Sequence, residues 1–496
     1  MPTRLELDLT SALRRPPARR RDNEAPLRLL LCGDFSGRAG RGLDDPAALA
    51  SRALLRVDVD NLDMTIARLA PVVAHVADGK PVEIGFATLD DFHPDQLYAH
   101  SGLFDDLRAL RERLSDPARF AQAKTEVMGA EAESDEATLS RLLGRSSEQG
   151  TPSTASATAV PRGVEAAVDA LIRRAVTADA APSVAPQQAQ YLSGVDAAIT
   201  ERMRELLHDP GFQALEAAWR TVQFLVRRLE LDEGIELHLL DVTRAELAAT
   251  AAEPELERSG LWKTLVERRR DPDGGPSWSM VVALEAFDAS KADVALLATL
   301  AATAAAGGAP LVATASPRLL GCTTLSGNAD PDDWEPLDAD SQARWQALRR
   351  SPLAPWIGLV APALLLRLPY GGGNDPLERF DFDEMAGVDP ACGLLWGQPG
   401  VACALLAGLA FTDAGWQMDL DAALDIDDLP AWIYDDGGDR HLYPCAGAWI
   451  GERAAQAMLS RGVMPLLSRR DYPAIRLLRW QSIAEPATTL SGPWET

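Results

Sequence analysis

The chain reads as an α/β protein of two or three layers with mixed sheets, extended terminal arms and a flexible central linker. Three observations predict this. Short apolar runs such as LRLLLCG (Leu27 to Gly33) have the length and leucine-rich make-up of buried strands. Amphipathic helical stripes alternate with them, the clearest lying between His208 and Leu231. Two polar stretches, at the start and near residue 140, bury little and interrupt the pattern.

Residues 1–22 read as an arm. Leu5, Leu7 and Leu9 alternate with polar residues in RLELDL (Arg4 to Leu9), which is the period of a strand. A spacer carrying Arg14, Arg15, Arg19, Arg20 and Arg21 detaches it from the first globular unit. A strand without a partner in its own unit is an aggregation liability, so this one is expected to pair with another subunit.

Residues 23–120 read as an α/β unit. Leu27 to Gly33 and Val82 to Ala87 are its expected strands, and Leu62, Ile66 and Leu69 set one face of a helix expected over Asn61 to Ala77. A further helix beyond Pro94 carries Leu103, Leu107 and Leu110. Residues 121–161 turn to Ala, Glu, Ser, Thr and Gly, the composition of a linker. Inside it, EATLSRLLGR places Leu139, Leu142 and Leu143 on one side of a short amphipathic helix.

Residues 162–496 form the second region. Val195, Ile199, Met203 and Leu206 mark an amphipathic segment. In the next helix, Asp209 is the expected N-cap and Pro210 suits the first helical position. Phe212, Leu215, Trp219, Val222, Val226 and Leu229 make its stripe, with Glu216, Arg220, Arg227 and Arg228 off it. Strands over Ile235 to Leu240, Met280 to Phe287 and Pro310 to Ala315, with an Ala- and Leu-rich helix over Ala292 to Ala305, suggest a β-α-β crossover. A last helix is expected near Gly451 to Ser460.

Composition narrows the function. With 496 residues and 47% apolar content, there is room for about three domains with substantial cores. The formal net charge of -25 disfavours nucleic acid and anionic lipid as partners, because like charges repel. The five scattered cysteines lack C-x-x-C spacing, and most sit in apolar surroundings, which argues for buried thiols in a reducing compartment. No apolar run has the form of a secretory signal or a membrane span, so a cytoplasmic location is expected.

The chemistry-bearing motifs are weak. GDFSGR is a glycine turn after a strand, but it lacks the G-x-x-x-x-G-K-[ST] pattern, and the chain has only four lysines. A tight turn in which Asp34 and Ser36 bond local backbone is the reading preferred over a phosphate loop. The six histidines show no paired metal spacing, and Ser36 is not in G-x-S-x-G. The acidic runs Asp330 to Asp333 and Asp435 to Asp436 read as turns, as does Gly371 to Gly373. No catalytic, cofactor or metal site is expected.

The wording of the second region is more specific than its periodicity. HDPGFQALEAAWR (His208 to Arg220), LHLLDVTRAEL (Leu237 to Leu247), APLVATASPRLLG (Ala309 to Gly321) and WIGLVAPALLLRLPYG (Trp356 to Gly371) occur in order. FDFDE (Phe380 to Glu384), GLLWGQPGVACALL (Gly393 to Leu406) and ERAAQAMLSRGVMPLLSRRD (Glu452 to Asp471) come after them. Together they resemble the large subunit of the type VI secretion sheath. LLLCGDFSGRAG (Leu29 to Gly40), RVDVDNLDMTIARLAP (Arg56 to Pro71) and FATLDDFHPDQLY (Phe86 to Tyr98) resemble the small subunit of the same sheath. In that family the two are usually separate, intertwined polypeptides, so the chain resembles a natural fusion.

The resemblance implies a helical self-polymer of stacked rings around an inner tube protein, attached to baseplate components and contracting to drive the tube outward for effector delivery. It implies β-augmentation by arms, for which Leu5, Leu7 and Leu9 are the candidates. It also implies an AAA+ unfoldase that grips a short helix, here Leu139, Leu142 and Leu143, which the fusion moves to an internal position. Glu452, Arg453 and Gln456 are its candidates for a tube-facing helix. The competing readings are a non-contracting paralogue that caps or regulates assembly, and a soluble α/β nucleotide-binding enzyme using the GDFSGR loop.

Overall fold

The computed structural model describes residues 25–77, 79–127, 184–268, 278–436 and 438–494. The arm strand Arg4 to Leu9 and the linker helix around Leu139, Leu142 and Leu143 lie outside the described residues.

Fifteen strands are described. In chain order they are β1 Leu27–Gly33, β2 Leu54–Val57, β3 Val72–Ala77, β4 Lys80–Gly85, β5 Ile235–Asp241, β6 Met280–Phe287, β7 Leu311–Ala315 and β8 Ile357–Ala361. Then come β9 Leu364–Leu365, β10 Trp396–Gly397, β11 Asp425–Ile426, β12 Ile433–Asp436, β13 Asp439–Leu442, β14 Val463–Ser468 and β15 Ile475–Leu477. Nine of them form one mixed sheet in the order β11-β15-β14-β8-β7-β6-β1-β5-β2. The six strands from β14 to β5 run parallel, while β11, β15 and β2 complete the edges in antiparallel pairing.

The central strands are largely apolar on both faces, as a doubly covered parallel sheet requires, with Arg28, Glu236 and His238 as a paired polar exception on β1 and β5. In β1, Leu27, Leu29 and Leu31 enter one core and Leu30 and Cys32 the other. The first core packs the helices Val184–Leu207, Pro210–Val226 and Gly400–Ala414 on one side of the sheet. The second packs Arg244–Ala251, Lys291–Ala306, Ala339–Arg349 and Glu452–Ser460 on the other. The result is a three-layer α/β/α arrangement.

The sheet does not follow the two units into which the sequence divides. β1 lies between β5 and β6, in register with both over Leu29 to Cys32, and β2 pairs with β5 at the edge. The described residues include a helix over 120–127, where a linker is expected from composition. Its stabilising contacts are those of Phe120 and Ala123, three residues apart and both buried; the Phe120 ring meets Tyr191 edge-on at 5.8 Å.

Two local expectations change. The helix expected over Asn61 to Ala77 is Leu62–Leu69 only. Ala70 turns left-handed at φ 45°, Pro71 comes next, and the β-branched Val72 and Val73 start β3. β3 and β4 then pair as a separate hairpin, so the expected buried strand near Val82 is a largely exposed one. The helix beyond Pro94 is split into Pro94–His100 and Asp105–Ser115, with Ser101 capping the turn between them.

Candidate functional site

For a chain whose resemblance is to a polymer subunit, the functional surfaces are those that join its halves and those it offers to neighbours. The first begins with GDFSGR. Gly37 has φ +69°, and a Cβ there would stand 2.3 Å from the Val72 carbonyl oxygen, so only glycine fits the turn. Asp34 accepts from the amides of Arg38 and Ala39 at 3.0 and 2.8 Å, as the tight-turn reading expects. Ser36 differs from that expectation. Its hydroxyl donates to Asp241 at 2.8 Å, and the amides of Phe35 and Ser36 donate to the same side chain. The donors that would hold a phosphate are therefore directed into the second region.

Arg38 continues this join. Its Nη2 donates to Glu246 at 3.0 Å, and Arg52 Nη2 donates to the other Glu246 oxygen at 3.0 Å. Glu246 is fully buried and also closes the capping box of the Arg244–Ala251 helix with Thr243. Burial pushes its carboxyl up, but the Arg38 and Arg52 hydrogen bonds outweigh this and hold it down at about 2. Burial likewise opposes the charge on Arg38, and Glu246 with Asp241 more than restores it.

A second buried network lies at the start of the central helix. Asp209 caps the Pro210–Val226 helix by accepting from Gly211 and Phe212, and it also meets His75 Nδ1 of β3 at 3.2 Å. Further along the helix, Glu216 is fully buried and not on the polar side where its spacing places it. Arg367 donates to Glu216 at 2.8 Å and to Glu384 at 2.8 Å. Arg220 reaches both Glu216 and the Tyr370 hydroxyl, and the Arg367 guanidinium lies 4.2 Å from the Tyr370 ring centroid. The signal in the sequence is Arg367 itself, a lone charge in the apolar run ALLLRLPY, which has to find carboxylates inside.

Glu452, Arg453 and Gln456 all lie on the exposed side of the Glu452–Ser460 helix, opposite the buried Ala454, Ala455, Met458 and Leu459. Arg453 does not stand alone there: it pairs with Asp332 at 2.6 Å and approaches Asp330 at 3.8 Å. The acidic run Asp330 to Asp333 is a capped turn, as expected, and it also orients this arginine.

The remaining notable surface is the β12–β13 hairpin. Tyr434 pairs with His441, and the Tyr443 amide donates to the Trp432 carbonyl, so Trp432, Tyr434, His441 and Tyr443 share one face. Trp432 and Tyr434 stack at 5.7 Å, Trp432 and Tyr443 tilt together at 5.4 Å, and Trp396 lies 6.2 Å from Tyr443. From the sequence, only the turn YDDGGDR is apparent here; the aromatic alternation on either side of it goes unseen.

Among the described residues, no helix is long and apolar enough to cross a membrane, and no three His, Cys, Asp or Glu side chains are placed to hold a metal.

Comparison with known proteins matches both parts of the chain. Residues 16–137 match the family described as "Type VI secretion system, VipA, VC_A0107 or Hcp2". Residues 189–484, more than half the chain, match VipB, described as "EvpB/VC_A0108, tail sheath N-terminal domain". A relative, the type VI secretion system sheath protein TssC1 of Pseudomonas aeruginosa, is 30% identical over 305 residues, covering 60% of this chain and 61% of the relative. The chain thus spans under two thirds of that relative's length. Both matched parts contribute strands to one continuous sheet, and the chain belongs to the type VI secretion sheath family, as a fusion of its small-subunit and large-subunit parts.

Proposed function

We propose that this chain is a non-enzymatic sheath protomer that polymerises in the cytoplasm as stacked rings around an inner tube and contracts to drive that tube outward for effector delivery. The observation that supports this best is the insertion of β1 between β5 and β6. A protomer whose two parts share one sheet moves as a rigid body, which is what a change between two helical packings requires. Edge positions are left for strands from neighbours: β2 at one side and the two-residue β11 at the other. The arm Leu5, Leu7, Leu9 is our candidate for the added strand. Glu452, Arg453 and Gln456 are the candidate contacts to the tube, Leu139, Leu142 and Leu143 the candidate handle for an AAA+ unfoldase, and baseplate components the partners at one end.

Electron microscopy of the chain produced together with its inner tube protein tests the reading. The expected outcome is tubes in a long and a short form. Separate single-chain particles under all conditions would contradict it, and tubes of one fixed form would point to a paralogue that assembles without contracting.

A further inference from the structure

Residues 371–384 belong to the second part of the chain and reach across to the first. At one end, Glu384 accepts from the Tyr370 amide at 2.7 Å and from Arg367 at 2.8 and 3.0 Å. In the middle, Phe380 and Phe382 are buried, Phe380 against Tyr98 at 5.2 Å and Phe382 under the Arg204 guanidinium at 5.9 Å. At the other end, the Glu378 amide donates to Asp95 at 3.0 Å, and Asp375 lies 3.6 Å from His93 Nε2. Between Pro376 and Phe382 the main chain belongs to no helix or strand, so these side-chain anchors are what hold it. Glycines flank both ends. Gly371, at φ +149°, is followed by Gly372 and Gly373, and Gly387 stands at φ +74° with open space around it. Such positions absorb backbone rotation, which gives the segment the form of a strap hinged twice.

One group beside the strap is held without a hydrogen bond. His208 Nε2 is buried 3.9 Å from Glu384 Oε1, too far to bond, and has no other hydrogen-bond partner. It faces Glu384 on the strap, Arg367 behind that carboxylate, and Arg204 and Glu201 on the Val184–Leu207 helix, while its neighbour Asp209 is engaged by His75. Burial, with Arg367 and Arg204, keeps the His208 pKa below the ordinary 6.5 against the pull of Glu384 and Glu201. Opening the strap admits water to the ring, so the open form binds a proton more readily than the closed one. By linkage, the open form gains as the pH falls below 6.5.

We propose that residues 371–384 are a strap fastening the two parts of the chain, and that His208 is the catch through which mild acid releases it while the shared sheet stays intact. Release uncovers Tyr98, Phe380 and Phe382 and unties the Pro94–His100 helix from the second part. His93 works in the opposite sense: it faces Asp375, Asp95 and the Tyr370 ring, so a charge on it holds the strap down.

The test is hydrogen exchange of the full chain followed by mass spectrometry, at about pH 7.5 and about pH 5.5, each rate divided by that of an unstructured peptide at the same pH. Protection of the strap should fall about fivefold on acidification, within the limit of about tenfold per pH unit that one proton allows. His208→Gln, which cannot take up the proton, should abolish the fall, and His93→Gln should leave it in place. Protection of β1 and β5 should stay unchanged throughout. Phe380→Ala removes an anchor without touching either histidine and should lower strap protection at both pH values, again with the sheet unchanged. Equal strap protection at the two pH values, the same fall in His208→Gln, its disappearance in His93→Gln, or loss of protection in β1 together with the strap would each overturn the assignment. The readout needs no polymer, so it stands or fails independently of tube formation.

Discussion

Two guanidinium groups, from Arg38 and Arg52, converge on the buried carboxylate of Glu246, which belongs to the other part of the chain. Glu246 is held at about 2 against an ordinary 4.5, so it binds fewer protons when folded than when unfolded. Its contribution to stability is complete above pH 4.5 and is lost as the pH falls toward 2. The thermal midpoint, followed by tryptophan fluorescence, should therefore drop over this window, and Glu246→Gln should flatten the drop while lowering stability at neutral pH. Arg367 makes a sharper case. Arg367→Met leaves two buried carboxylates without the cation they share, Glu216 keeping only Arg220, and should cost about 3–5 kcal/mol in urea unfolding. A loss under about 1 kcal/mol would show that the carboxylates reach water instead. Neither network can be read from local spacing. Glu216 sits where a helical wheel puts a solvated charge, and it is buried between Arg220, one turn on, and Arg367, which arrives from 151 residues away.

Among the elements, those governed by nearby residues are the most legible. β1 and β6 occupy the residues expected of them, because a strand covered on both faces must be continuously apolar. The Pro210–Val226 helix starts where Asp209 and Pro210 place it, and Asp209→Ala should destabilise the chain by about 1–2 kcal/mol through the lost cap, measured as a shift in the urea midpoint. The helix expected to reach Ala77 is too long because Leu62, Ile66 and Leu69 continue a stripe that the turn at Ala70 and Pro71 ends. The aromatic hairpin is hidden for a related reason: its alternation is interrupted by the acidic turn, so each half is too short to register. At this scale the arm is also testable. Deleting Arg4 to Leu9 should abolish tubes and leave the thermal midpoint unchanged, whereas tubes at wild-type yield would remove the arm from assembly.

For the whole molecule, composition and block order point to the family and the α/β class, but not to the shared sheet. Pairing of β1 with β5 and β6 spans more than 200 residues in sequence and carries no local signal. It has a direct consequence. Residues 184–496 made alone lack the strand between β5 and β6 and should aggregate, while the same fragment made together with residues 1–137 should give a soluble one-to-one complex by size-exclusion chromatography. A stable, monomeric 184–496 fragment would mean that the two parts fold separately. The central claim is that one chain serves as one sheath protomer. The most direct measurement is a helical reconstruction by cryo-electron microscopy of tubes formed by this chain around its inner tube. The prediction is one chain per asymmetric unit, with Leu27–Gly33 paired to Ile235–Asp241 and Met280–Phe287 of the same chain. Tubes in which β1 inserts into a neighbouring chain's sheet, or no tubes at all, would contradict it.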